Sequence, residues 1–110
     1  MIIFIPARKD SNKSLVSEQL GRANFFYVFD TDTKTEQIYD NHFKLENHGA
    51  GVKTVEFILK QNTDCLITPR VGEKSLELLL DTDVKIYKAN GKIIKEIISD
   101  LHHDNLEELY

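Results

Sequence analysis

The order in which strand-like and helix-like segments follow one another constrains this chain more than any single motif. Phe25-Phe26-Tyr27-Val28-Phe29 and Glu36-Gln37-Ile38-Tyr39 flank Asp30-Thr31-Asp32-Thr33-Lys34. Aromatic residues favour a pleated surface and Asp and Thr supply turn chemistry, so the pair reads as a β-hairpin with Ile38 inward. The pattern then alternates. Val52, Val55, Ile58 and Leu59 recur at helical spacing and stop near Gln61-Asn62. Cys65-Leu66-Ile67 is a short buried strand halted by Pro69, and Gly72 opens a second helix with Leu76, Leu79 and Leu80 on one face. Residues 84–87 read as a strand and Asn90-Gly91 as a turn. Ile93, Ile94, Ile97, Ile98 and Leu101 mark a third, strongly amphipathic helix. Ahead of the hairpin, Ile2-Ile3-Phe4-Ile5 is an apolar run closed by Pro6, the pattern of a strand buried on both faces. A hairpin followed by βα alternation predicts an α/β fold, with a mixed five-stranded sheet and helices on its faces.

Two segments fall outside this pattern. Residues 7–24 are polar and read as a loop, a candidate for mobility, with little core material beyond Leu15, Val16 and Leu20. The acidic tail from His102 to Tyr110 reads as a short helical turn or a fraying end.

Composition narrows the function classes. A chain of 110 residues builds one core, so residues 1–110 are expected to form a single domain. A net charge of -4 argues against nucleic acid, because phosphate binding needs a basic face. No apolar run approaches the ~20 residues of a membrane span, and residues 2–5 are too short for a signal peptide. The single cysteine, Cys65, excludes an internal disulfide and a multi-cysteine metal knot. A cytoplasmic protein fits these properties.

The motif with most chemical content is Asn47-His48-Gly49-Ala50-Gly51, just ahead of the first helical pattern. A glycine-rich helix start presents backbone N–H groups and the positive end of the helix dipole, and His48 adds a metal ligand or an anion donor. The loop suits an anionic or metal-containing ligand. It equally suits a tight turn in which Gly49 and Gly51 only admit the chain to the helix. Gly72-Glu73-Lys74-Ser75 lacks the upstream glycine of a P-loop, which argues against nucleoside triphosphate hydrolysis. Arg70 and Gly72 nevertheless stand between a strand and a helix, the edge where open α/β sheets bind ligands. Arg22 has two readings, an anion clamp or an ordinary surface charge.

Other candidates fail on spacing. Gly49-Ala50-Gly51 lacks the third glycine of a dinucleotide fingerprint, because Thr54 stands there. Asp30 and Asp32 are followed by Lys34 and Thr35 where a calcium loop needs a ligand and a glycine. In His102-His103-Asp104 the histidines would point about 100° apart on a helix, and His42 reads as a surface loop residue. Cys65 reads as a small core residue. The first strand carries no acidic residue to hold Mg²⁺ for a ribonuclease H type nuclease. No nucleophile–base or carboxylate pair stands at a readable spacing, so the expectation is a protein that is not an enzyme.

The strand at residues 2–6, Leu20-Gly21-Arg22-Ala23 with Phe26, Asn41, and His48-Gly49-Ala50-Gly51 come in an order and spacing that resembles a known family. So do residues 64–67, Gly72, Leu79, residues 84–87 and the helix at 93–98. The chain is similar to the dinitrogenase iron–molybdenum cofactor-binding family of nitrogenase accessory factors and their short stand-alone homologues. The resemblance implies a ribonuclease H-like fold and the handling of iron–molybdenum cofactor or iron–sulfur precursors. By position it points to Gly21, Arg22, His48, Gly49 and Gly51 as ligand-facing residues. The family commonly has His-Phe-Gly-Arg where this chain has Gln19-Leu20-Gly21-Arg22. An amide ligates transition metals poorly, which leaves His48 as the strong metal ligand.

Two functions are therefore expected. One is a non-enzymatic carrier of an anionic iron–sulfur or iron–molybdenum type cluster. In it His48 ligates, Arg22 and Arg70 offset charge, and backbone N–H groups near Gly49, Gly51 and Gly72 bind sulfides or an organic acid, with a protein acceptor as partner. The other is a metal-free regulatory module that binds a small anion or a protein. A hydrolase is the weaker third. The hairpin offers an edge for self-association.

Overall fold

A computed structural model describes residues 1–46, 48–89 and 92–101 and the backbone of 107–108. Asn47, the Asn90-Gly91 turn and the His102-His103-Asp104 motif lie outside the described residues. The elements follow in the order β1 (Ile2–Ala7), β2 (Phe25–Asp30), β3 (Thr35–Asp40), α1 (Ala50–Lys60), β4 (Cys65–Thr68), α2 (Glu73–Leu80), β5 (Lys85–Lys88), α3 (Ile94–Leu101) and β6 (Glu107–Glu108). The strands form one sheet in the order β3-β2-β1-β4-β5-β6. The pairs β1/β2 and β2/β3 are antiparallel, and β1/β4 and β4/β5 are parallel. This is the mixed five-stranded α/β sheet expected from the sequence. To it is added the two-residue β6, antiparallel to β5, where the tail had read as a helical turn or a frayed end.

Alternation along the central strands splits the core into two halves. Phe4, Phe26, Val28, Leu66 and Ile86 face α1 and α2, meeting Val55, Ile58 and Leu79. Ile3, Ile5, Tyr27, Cys65 and Ile67 face the other way, toward Ile94 and Ile97 of α3. Successive strand side chains point to opposite faces, so a strand covered on both sides is apolar throughout, as Ile2-Ile3-Phe4-Ile5 is. Phe57 gathers Phe4, Phe26, Tyr39 and Phe43, with ring centroids 5.3–6.4 Å from its own.

β1 runs one residue past Pro6, which had been read as its end. The Pro6 carbonyl accepts from Ser17 N–H at 2.9 Å, on the side away from β2. The proline nitrogen faces that same side, where the β2 ladder needs no donor.

Both surface helices sit rotated from their apolar stripes. In α1 the buried residues are Ala50, Thr54, Val55 and Ile58, while Val52 is 39% and Leu59 42% exposed. In α2 Ser75 and Leu79 are buried and Leu80 is 61% exposed. The reason is the contact between the helices. A Cβ built on Gly51 would stand 2.6 Å from Ser75 Oγ, so the small residues face each other. That turns Thr54 inward, where its hydroxyl donates to the Ala50 carbonyl at 2.8 Å.

The loop at 8–24 is tied down. Ser14 Oγ accepts from the backbone N–H groups of Arg8 and Lys9 at 3.1 and 2.9 Å. The Ser14 and Asn12 carbonyls accept from Ile94 N–H and Lys95 N–H at 2.9 and 2.8 Å, satisfying donors of the first turn of α3. Val16, Leu20 and Ala23 are buried and Leu15 is 41% exposed.

Candidate functional site

At the C-terminal ends of β1 and β4 the chain departs in opposite directions. β1 leads through the 8–24 loop to β2 on one side, and β4 leads to α2 and β5 on the other. Such a divergence opens a crevice at the sheet edge. Here it is a cavity of about 520 Å³, lined by residues 19–22, 49–51 and 70–72 and by Ser75. Gly21, Arg22, Gly49, Gly51, Arg70 and Gly72 are thus brought together from three separate loops. His48 is exposed and stands next to this wall without lining it.

Each wall has its own support. The buried Asn41 donates through Nδ2 to the Gly21 and Ala23 carbonyls at 3.0 and 2.8 Å and accepts from Phe43 N–H at 2.8 Å. It fixes the 21–23 turn. Arg22 Nη1 donates to the Lys44 and Glu46 carbonyls at 2.5 and 2.7 Å. The Glu46 carboxylate in turn pairs with Lys53 of α1 at 2.7 Å. Arg22 had two sequence readings, and the geometry supplies a further one: half of its guanidinium straps down the 44–46 loop. Thr68 Oγ1 donates to the Arg70 carbonyl at 3.1 Å, shaping the turn that follows β4. The Arg70 side chain is exposed at the rim.

Two helices aim their N-termini at this space. Gly49 precedes α1 at φ 79°, the left-handed region that favours glycine, and Gly72 precedes α2 in an extended conformation. Neither contributes a side-chain cap, so the first-turn N–H groups of both helices remain for water or a ligand. Both positive dipole ends favour negative charge there. Glu73, in the first turn of α2, is the acidic counterweight.

Of the lining residues, Gln19 stood out only through the family resemblance and Ser75 was not expected to face a ligand. Ser75 had a signal, because it closes the Gly72-Glu73-Lys74-Ser75 string whose P-loop reading fails. Cys65 lies at the opposite end of β4. Its thiol meets the Met1 sulfur at 3.6 Å, and burial together with Asp64 pushes its pKa up. Asp30 Oδ1 accepts from Asp32 N–H at 2.9 Å in an ordinary turn, and that bond lowers the Asp30 pKa. Among the described residues no three of His, Cys, Asp and Glu gather as a metal site.

The family model for the dinitrogenase iron–molybdenum cofactor matches residues 1–103. The chain belongs to that family. An uncharacterised protein of Methanocaldococcus jannaschii is 24% identical over 102 residues, covering 90% of this chain and 85% of the relative. An NMR structure of a Thermotoga protein described as a candidate NifB protein is 30% identical. It has a TM-score of 0.86 and covers 98% of this chain and 92% of its own. The apo form of the orange protein from Desulfovibrio gigas shares the fold, with a TM-score of 0.88 at 23% identity, covering 97% and 91%. Among the described residues no helix is long and apolar enough to cross a membrane.

The residues present fit an iron–molybdenum type cofactor unevenly. The cavity is a good cradle for an anion, with two uncapped helix starts and a glycine whose Cβ would be obstructed. Among the described residues its lining offers the exposed Gln19 amide and no thiolate or imidazole.

Proposed function

We propose that this protein is a non-enzymatic cytoplasmic carrier of an anionic iron–sulfur or iron–molybdenum type cluster, delivered to a protein acceptor. The observation that carries the reading is the convergence of two uncapped helix N-termini on one open cavity, in a member of the cofactor family. Backbone N–H groups of the first turns of α1 and α2 donate to sulfides or to an organic acid on the cluster. Arg70 and the unstrapped half of Arg22 offset its charge. Among the described residues, His48 is the imidazole next to the cavity wall and ligates a metal at the cavity mouth. Weak ligation suits a carrier, which has to release its load.

The test is anaerobic reconstitution with iron and sulfide, with and without molybdate. It is followed by desalting and by counting metal and sulfide in the wild type and in His48→Ala. The carrier reading expects stoichiometric metal that falls in the variant. No retained metal in either protein would overturn it. That result would favour the second reading, a metal-free regulatory module for a small anion, to which the Gln19 amide in the wall lends support.

A further inference from the structure

The Ser75 hydroxyl is a feature of the cavity that cluster carriage leaves without a task. Ser75 is 7% exposed and lies on the cavity wall, and among the described residues its hydroxyl has no hydrogen-bond partner. The hydroxyls of the other buried residues, Ser14, Ser17, Thr54, Thr63 and Thr68, all bond to backbone groups. Among the described residues no unpartnered side-chain oxygen is itself buried, so Ser75 Oγ opens to the cavity. Ser75 is the third residue of α2 and sits in the first turn behind its uncapped start. Its Oγ is held over Gly51, the second residue of α1, within 2.6 Å of the position a Cβ would take there. The hydroxyl therefore stands between two sets of unused first-turn N–H groups.

We propose that this point is a subsite for a tetrahedral oxyanion of the phosphate, sulfate and molybdate class, with Ser75 Oγ donating one hydrogen bond to it. Such an ion has four acceptor oxygens in a small volume. It can accept from the first-turn N–H groups of α1 on one side, from those of α2 on the other, and from the hydroxyl between them. A hydroxyl is a directional donor that a soft sulfide uses poorly and an oxyanion uses well. Arg70 at the rim supplies long-range attraction. The inference rests on the same cavity as the carrier reading but needs no metal. Free inorganic oxyanion and an oxyanion group on a larger ligand would use the same donors.

The experiment uses the metal-free full chain. Phosphate, sulfate and molybdate are each titrated at fixed ionic strength with chloride as the control, read by calorimetry and by backbone amide shifts. Binding is expected to move the amides of residues 50–52 and 73–75. Ser75→Ala is expected to weaken it about tenfold, the cost of losing one hydrogen bond to a charged group. Ser75→Asp places a fixed carboxylate among the same donors and is expected to abolish binding. Thermal melts of each variant separate lost binding from lost folding. Saturation no stronger than chloride in the wild type would overturn the inference, as would undiminished affinity in folded Ser75→Ala. An organic phosphate that binds while inorganic phosphate competes with it at this site supports the subsite as part of a larger ligand's footprint. Failure here with stoichiometric metal retained on reconstitution would remove the oxyanion and leave the carrier. Anion binding without metal retention would do the reverse.

Discussion

Replacing Asn41 with alanine should be among the most damaging single changes on the surface side of the sheet. Asn41 is 3% exposed and makes three side-chain hydrogen bonds, two to the Gly21 and Ala23 carbonyls and one from Phe43 N–H. At a net value of about 1 kcal/mol each, the loss is about 3 kcal/mol. With a urea slope of about 2 kcal/mol/M, the midpoint should fall by about 1.5 M. A thermal midpoint should fall by about 12 °C at roughly 4 °C per kcal/mol for a domain of this size. Asn41→Asp sharpens the test, since it keeps the shape but turns a carboxylate toward two carbonyl oxygens. It should cost at least as much as alanine. Both variants should also weaken ligand binding, because the 21–23 wall loses its anchor. Equilibrium urea unfolding by circular dichroism measures all three proteins. A loss under about 0.5 kcal/mol in both variants would refute the claim that Asn41 builds the wall, since surface substitutions reach only that size.

Gly51→Ala should cost up to about 1 kcal/mol, because its Cβ would meet Ser75 Oγ at 2.6 Å and the hydroxyl must swing aside. The next atom, Ser75 Cβ, is 4.0 Å away, so the Gly51→Ala/Ser75→Ala double variant should recover most of that loss in a double-mutant cycle. Gly49→Ala should cost about 1 kcal/mol from its φ of 79° alone, since nothing lies within 4 Å of the new Cβ, and Gly49→Asn should cost less. Burial and the Glu36 carboxylate raise the Tyr27 pKa well above its ordinary 10.0. The folded protein therefore holds that proton more tightly than the unfolded chain, and the stability is present below pH 10 and lost as pH rises beyond it. Tyr27→Phe should flatten this alkaline loss in urea titrations between pH 8 and 11 on the scale of ordinary tyrosine ionisation. Cys65, buried and with a raised pKa, should react with a thiol reagent only on unfolding.

Strands and hairpin were legible because burial imposes a period. β1 is apolar at every position as it is covered on both faces, and β2 and β3 meet at turn residues 31–34. The rotation of α1 and α2 was not legible. The sequence shows leucine and valine at helical spacing, but which stripe goes inward is decided by the close approach of Gly51 and Ser75. Two small residues on different helices announce no pairing. In the same way, the glycines at 49, 51 and 72 pointed to a ligand-facing edge, while the strap from Arg22 to the 44–46 carbonyls could not be foreseen. It uses backbone acceptors, which every residue carries. Asn41 stood out only through the family resemblance, and its burial supplies the physical reason.

The most direct test of the cavity as the cargo site is distance-dependent broadening of backbone amide signals by a paramagnetic cluster. The protein is labelled with nitrogen-15 and loaded anaerobically. The account predicts selective loss of amides at residues 20–22, 49–52 and 71–75, with Cys65 and the α3 face unaffected. Broadening centred on Cys65 or α3, or none in a protein that carries stoichiometric metal, would contradict it.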